Sequence, residues 1–197
     1  MIVLCLHLVD KQHNSSGKLT ECNDAVFVYD RVMSNLDSYF PLQNGRTHEA
    51  YGPAAHAFAF SLAGHLCRST DKTILWIRQA WASEHINPVG FSQYFPPQCL
   101  LLAQANTHLD ALATAEEALR DGSITLVVIE LSQPIGLTEG RRLQLAAKEG
   151  NTMGLCVLPE GMGSNAAQTR WCCSPVFNAT SQATGSTLQR WEIIKNK

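Results

Sequence analysis

What this 197-residue sequence lacks narrows its chemistry first. It contains no G-x-x-x-x-G-K-[ST] run, the pattern whose glycines let the backbone approach phosphates and whose lysine meets their charge. Its Gly-Lys pair, Gly17-Lys18, has Gln12 where the first glycine belongs and Leu19 at the hydroxyl position. That pair is therefore a decoy within the polar loop Asp10–Lys18. Charged residues are scarce at 16%, and the net charge of -2 supplies no global basic field for nucleic acid. No apolar run approaches the ~20 residues a membrane helix needs. The apolar start, Met1–Val9, has neither a basic n-region nor a small-residue cleavage site, so it reads as a strand or docking segment. The seven cysteines are odd in number and include no C-x-x-C pair, and no Cys/His cluster has zinc-finger geometry. They read as buried, reduced thiols of a cytoplasmic protein.

What is present is a core. Hydrophobic residues make up 45% of a chain of single-domain length, which argues against wholesale disorder. Residues 1–35 read as an N-terminal segment of uncertain order, within which Asp24–Tyr29 is either a strand or a helix start. Residues 36–197 read as one domain. Pro41–Arg46 is a turn that feeds a strand from Thr47. Lys72–Arg78 is a β-rich apolar run bounded by Ser69-Thr70-Asp71. After the Pro/Gly-rich stretch Asn87–Pro97, Cys99–Ala103 reads as the next buried strand. Asn106–Arg120 is the clearest helix, with Leu109, Leu112 and Leu119 on one face, Asn106 or Thr107 as cap, and Asp121-Gly122 as stop. Ile124–Leu131 is a near-continuous apolar strand of the kind buried on both faces of a parallel sheet. Leu137–Gly150 is a helix with Thr138 as N-cap and Gly150-Asn151 as stop, and Met153–Leu158 is a fifth strand ended by Pro159.

This alternation of strand and helix predicts an α/β fold, a mostly parallel sheet flanked by helices. Residues 159–197 form a C-terminal extension in which Gln168–Pro175 and Leu188–Lys195 read as an antiparallel pair at one edge of the sheet. The Ser/Thr/Gly-rich connector from Asn178 to Thr187 joins them.

The organising stretch is Thr47–Leu66: strand, Gly52-Pro53 turn, then a helix of small and apolar residues. In nucleotide-binding α/β proteins this is where phosphates sit on a helix N-terminus. Counting from Gly52, however, the Gly-Lys-Thr positions hold Ala57, Phe58 and Ala59, which fill an interior. Gly52, Pro53 and His56 thus mark a degenerate first turn, and no cofactor is expected there.

Several blocks together resemble the ImuA family, RecA-like proteins of the bacterial DNA-damage response. They are Gly45–Glu49 with Tyr51-Gly52-Pro53, Glu116–Gly122, Arg141–Gly150, Thr169-Arg170-Trp171 and Arg190–Lys197. The likeness spans roughly residues 36–197 and rests on the order and spacing of the blocks. It implies a RecA-like core with a degenerate P-loop. It also implies association with an ImuB-type, Y-family-like polymerase homologue, with RecA, or with both, in error-prone synthesis past lesions. Leu137-Thr138-Glu139 and Glu149–Gly154 are also similar to SulA, the SOS inhibitor of the division tubulin homologue FtsZ. His48-Glu49 and the Trp-containing C-terminal strands favour ImuA.

No catalytic constellation emerges. A RecA-type ATPase needs a metal-binding acid at a core-strand end, and Glu130 stands there without a phosphate lysine, so it reads as a hydrogen-bonded acid. His48 and Glu49 are strand neighbours that point to opposite faces. His56 and His65 face different directions on their helix, so no metal site is expected, and Ser61 and Cys67 have no nucleophile elbow. The expectation is a non-enzyme. Its partner-binding candidates are Arg170-Trp171 and Arg190-Trp191, because Trp and Arg are enriched at interface hot spots. Against this stands tryptophan packed on the sheet with arginine reaching to solvent. Arg141 and Arg142, with Lys148 and the terminal Lys195 and Lys197, offer either a solvated face or weak contact with a DNA backbone.

Overall fold

The computed structural model describes residues 2–5, 26–29, 42–67, 71–176 and 188–197. The loop Asp10–Lys18 with its Gly17-Lys18 pair, and the connector from Asn178 to Thr187, lie outside these residues.

Two short strands, β1 (Ile2–Cys5) and β2 (Val26–Tyr29), pair antiparallel in a sheet of their own. This settles Asp24–Tyr29 in favour of a strand over Val26–Tyr29.

The main body alternates strand and helix. In order it comprises β3 (Thr47–Tyr51), α1 (Ala55–Leu66), β4 (Ile74–Gln79), the single turn α2 (Pro88–Phe91), and β5 (Leu100–Ala105). Then come α3 (His108–Asp121), β6 (Leu126–Glu130), α4 (Leu137–Gly150), β7 (Met153–Val157), β8 (Thr169–Val176) and β9 (Leu188–Asn196). Seven strands make one sheet in the order β5-β4-β6-β7-β3-β8-β9. Every pairing is parallel except β8 with β9. The C-terminal pair is antiparallel as expected, and β8 joins the sheet parallel to β3, with Ala50 opposite Trp171.

Because β6 and β7 lie inside the sheet, both of their faces are covered, which is why they read as unbroken apolar runs. Leu126, Val128 and Leu155 pack toward α1 together with Trp76, Trp171 and Trp191. Val127, Ile129 and Cys156 pack toward α3 and α4 with Leu119, Leu143 and Ala147. The result is a three-layer helix–sheet–helix arrangement. Five cysteines (67, 99, 156, 172 and 173) are free thiols, and burial pushes Cys156 and Cys173 up in pKa.

Three local expectations need correction. β5 starts at Leu100, with Cys99 in a preceding 3-10 turn, and it is an edge strand with Leu101 and Leu102 exposed. In α3 the buried arc is set by Ala111, Leu112, Ala115 and Leu119, and Leu109 falls about a third of a turn off it, into solvent. Thr138 is already inside α4; the N-cap is Gly136, which uses no side chain. Its carbonyl instead accepts from the Ser164 hydroxyl at 3.2 Å, so a neighbouring loop holds the helix start. By contrast, Thr107 caps α3 in a reciprocal box with Asp110, Gly122 ends α3 in the left-handed region, and Asn151 ends α4 there (φ 51°).

Candidate functional site

In a parallel sheet the carboxyl ends of the strands share one rim, where ligands bind in this architecture. Here the ends of β3, β4, β6 and β7 open onto a cleft of about 400 Å³. Its lining includes Gly52 and His56 from the first turn, Arg78, Gln79, Trp81 and Glu84 after β4, Glu130 and Ser132 after β6, and Glu160 after β7. Sequence reading found Gly52, His56 and Glu130. It missed Arg78, Gln79, Trp81, Glu84, Ser132 and Glu160. The available signal was positional, since each follows the apolar core of a parallel strand.

The first turn is built for packing. Gly52 sits at φ 97°, and a Cβ there would fall on the Cys173 carbonyl of β8. That carbonyl accepts from the Ala54 N–H at 3.1 Å, and the Gly52 carbonyl accepts from the Ala55 N–H at 3.0 Å. An amide that a phosphate loop turns toward its ligand is thus spent on the neighbouring strand. Phe58, at the lysine position, is wholly buried, with its ring 5.2 Å from Trp171 and edge-on to Trp191 at 4.9 Å.

At the floor of the cleft, both oxygens of Glu130 are occupied. Oε1 accepts from Trp76 Nε1 at 2.6 Å and stands 3.3 Å from His56 Nε2; Oε2 accepts from Arg78 Nε at 2.8 Å. Burial pushes the Glu130 carboxyl up, but His56, Arg78 and Trp76 outweigh it and hold the group below its ordinary value. Arg78 is itself fixed by a 2.6 Å bond from Nη1 to the Glu84 carbonyl. The hydrogen-bonded acid is what the structure contains. Taken together, these residues do not fit a magnesium–triphosphate group: the lysine and hydroxyl positions are in the core, and the strand-end carboxylate is committed to its own neighbours. Among the described residues no three His, Cys, Asp or Glu side chains gather as metal ligands, and no helix is long and apolar enough to cross a membrane.

His48 and Glu49 point to opposite faces, as strand alternation requires. Glu49, buried, receives Arg170 Nε at 2.7 Å and the Ser164 N–H at 2.7 Å. His48, also buried, sits 2.7 Å from Thr169 Oγ1 and 3.1 Å from the Gln43 carbonyl. Burial lowers the His48 pKa from 6.5 to about 4. The unfolded chain therefore takes up a proton in the window from pH 6.5 down to 4 that the folded one refuses, so stability falls as the pH drops through it. This one group predicts a loss of roughly 3 kcal/mol across the window. Urea titrations from pH 7 to 4 measure it, and His48→Gln flattens that part of the profile. An unchanged slope in the variant refutes the assignment.

The partner-binding candidates divide. Trp171 and Trp191 are in the core, where their indole N–H groups donate to Thr169 Oγ1 and Gln189 Oε1, each at 2.9 Å. This corrects their reading as contact residues, because a ring sealed between sheet and α1 presents no surface. Arg170 is tied to Glu49, with Nη2 also donating to the Ser164 carbonyl at 2.9 Å. Arg190 is exposed, so packed tryptophan beside outward arginine describes the β9 pair. Arg141 is exposed on α4, while Arg142 Nη2 pairs with Glu116 Oε2 of α3 at 2.7 Å, which cancels part of the basic stretch. Pro53 stays in the turn and does not line the cleft.

No family model and no curated protein matches this chain. Among solved structures, the RadB recombinase superposes over 74% of this chain and 82% of its own, at 12% identity and a TM-score of 0.51. SulA from Pseudomonas aeruginosa aligns over 57% of this chain and 97% of its own, at 21% identity and a TM-score of 0.46. At such identities the likeness is one of fold, and the RadB superposition carries it. The α/β core, with its mostly parallel sheet and antiparallel C-terminal pair, is RecA-like.

Proposed function

We propose that this RecA-like chain is a non-catalytic adaptor of the bacterial SOS response. In this reading it supports error-prone translesion synthesis by binding an ImuB-type polymerase homologue, RecA, or both. The observation that carries the reading is Phe58: the position that defines a phosphate loop has become part of the core, and the turn is bonded to β8. A motor scaffold rebuilt in this way retains surfaces and loses the means to hold a nucleotide. The sequence resemblance to ImuA supplies the biological setting. Glu116, Arg120, Arg142 and Glu149, all from its blocks, form one ion-paired join between α3 and α4.

The test is binding to three immobilised partners from the same host: the polymerase homologue, RecA and the division tubulin homologue. Retention by either of the first two, with none by the third, is the expected outcome. Retention by the third alone replaces the proposal with SulA-like division inhibition. ATP hydrolysis in the presence of DNA, abolished by a change at the first turn, removes the non-catalytic part.

A further inference from the structure

The rim cleft has lost the features of a nucleotide site but remains a formed cavity, and its lining has a definite charge and shape. Three acidic residues, Glu84, Glu130 and Glu160, line the cleft with one arginine, Arg78, and one histidine, His56. Glu130 is balanced internally by Arg78, whereas Glu84 and Glu160 are exposed. Beside them Trp81 is 66% exposed, although the other three tryptophans, 76, 171 and 191, are buried. A large indole left in water at the mouth of a cavity is placed to meet a ligand that enters it. Gln79 adds a third element. It is buried in the lining, and its Oε1 accepts from the Ser132 hydroxyl at 2.8 Å.

We infer that this cleft takes an arginine side chain presented on a loop of a protein partner. A planar guanidinium stacks on an indole face and offers N–H groups to two carboxylates at once, which suits a cleft lined by Trp81, Glu84 and Glu160. The backbone of the same loop meets the polar Gln79–Ser132 pair in the lining. Anionic ligands meet the opposite field: the phosphates that occupy this rim in a nucleotide-binding protein approach uncompensated carboxylates here. The inference rests on the adaptor reading only in taking the occupant to be part of a protein. The cleft can be tested without any partner.

The experiment titrates N-acetyl-arginine methylamide, its neutral citrulline counterpart and Mg-ATP into the whole chain. The readout is the Trp81 indole N–H resonance, identified by its absence in Trp81→Phe. The arginine probe is expected to shift that resonance saturably, more weakly as salt is raised, and the citrulline probe to leave it in place. The double variant Glu84→Gln/Glu160→Gln alters only exposed side chains and is expected to melt as the parent does. It should bind the arginine probe about fivefold to tenfold more weakly. Equal binding of the citrulline probe, stronger binding of Mg-ATP, or a Trp81 resonance indifferent to the arginine probe overturns the proposal. A positive result stands whichever partner the three-way assay selects, and a negative one leaves the adaptor reading intact.

Discussion

Replacing Phe58 with lysine, the residue type a phosphate loop carries at that position, is expected to unfold the protein and not to create a nucleotide site. The ring is fully buried between α1 and the sheet, against Trp171 and Trp191. Removing such a ring costs about 3–5 kcal/mol in lost transfer energy and cavity formation. An ammonium placed there is set among the apolar side chains of that core cluster, so its desolvation adds several kcal/mol more unless it stays neutral. The total rivals the whole stability of a domain, about 5–15 kcal/mol. Circular dichroism should therefore show no cooperative melt for Phe58→Lys. Phe58→Leu keeps the site apolar and should lose only about 1–2 kcal/mol. A folded Phe58→Lys variant that binds Mg-ATP would show that the site is dormant, not rebuilt, and would sink the adaptor argument at its base.

The second large effect is predicted at Arg170. Its place beside Trp171 suggests a partner contact, yet its guanidinium meets a carboxylate whose side chain is only 2% exposed. Arg170→Ala leaves Glu49 charged and buried with only the Ser164 N–H as donor, a change that typically costs about 3–5 kcal/mol. Adding Glu49→Gln to that background removes the stranded charge and should recover a substantial part of the loss. The cycle is read from urea midpoints. If Arg170→Ala changes partner binding but leaves the midpoint where it was, Arg170 is a contact residue after all. If stability collapses and the double variant restores both, its role is internal.

These two residues show where sequence reading succeeds and where it stops. Periodicity and run length located β4, β6 and β7 because strands buried on both faces cannot hide their apolar content, whereas the polar β3 was marked by the Gly52-Pro53 turn that follows it. Capping chemistry located the ends of α3, since Thr107 acts through its own hydroxyl and Gly122 through its own backbone, both on the helix they bound. Whatever depends on a distant element was less legible. Thr138 has the right chemistry for a cap, but Ser164 already holds the helix start. Cys99–Ala103 is as apolar as an interior strand, and its edge position follows only from the sheet order. Trp171 and Trp191 have the composition of an interface, yet they meet Phe58, more than a hundred residues away, in the core. The cleft was the least visible of all. Gln79, Trp81, Glu84 and Glu160 belong to no motif, and only the parallel arrangement of β4 and β7 in one sheet gathers their ends.

The position of β3 in the sheet has a consequence for how the chain is made. Its two neighbours are β7 and β8, and the Glu49–Arg170 bond joins residues 121 apart in sequence. On the ribosome, then, the strand at the heart of the molecule waits while roughly a hundred residues are added before its first neighbour exists. At synthesis rates of about 5–20 residues per second that is some 5–20 seconds during which Thr47–Tyr51 and the apolar helix after it have no sheet to join. The late C-terminal strands therefore close the fold instead of decorating it. The nascent chain must be kept from aggregating until they arrive.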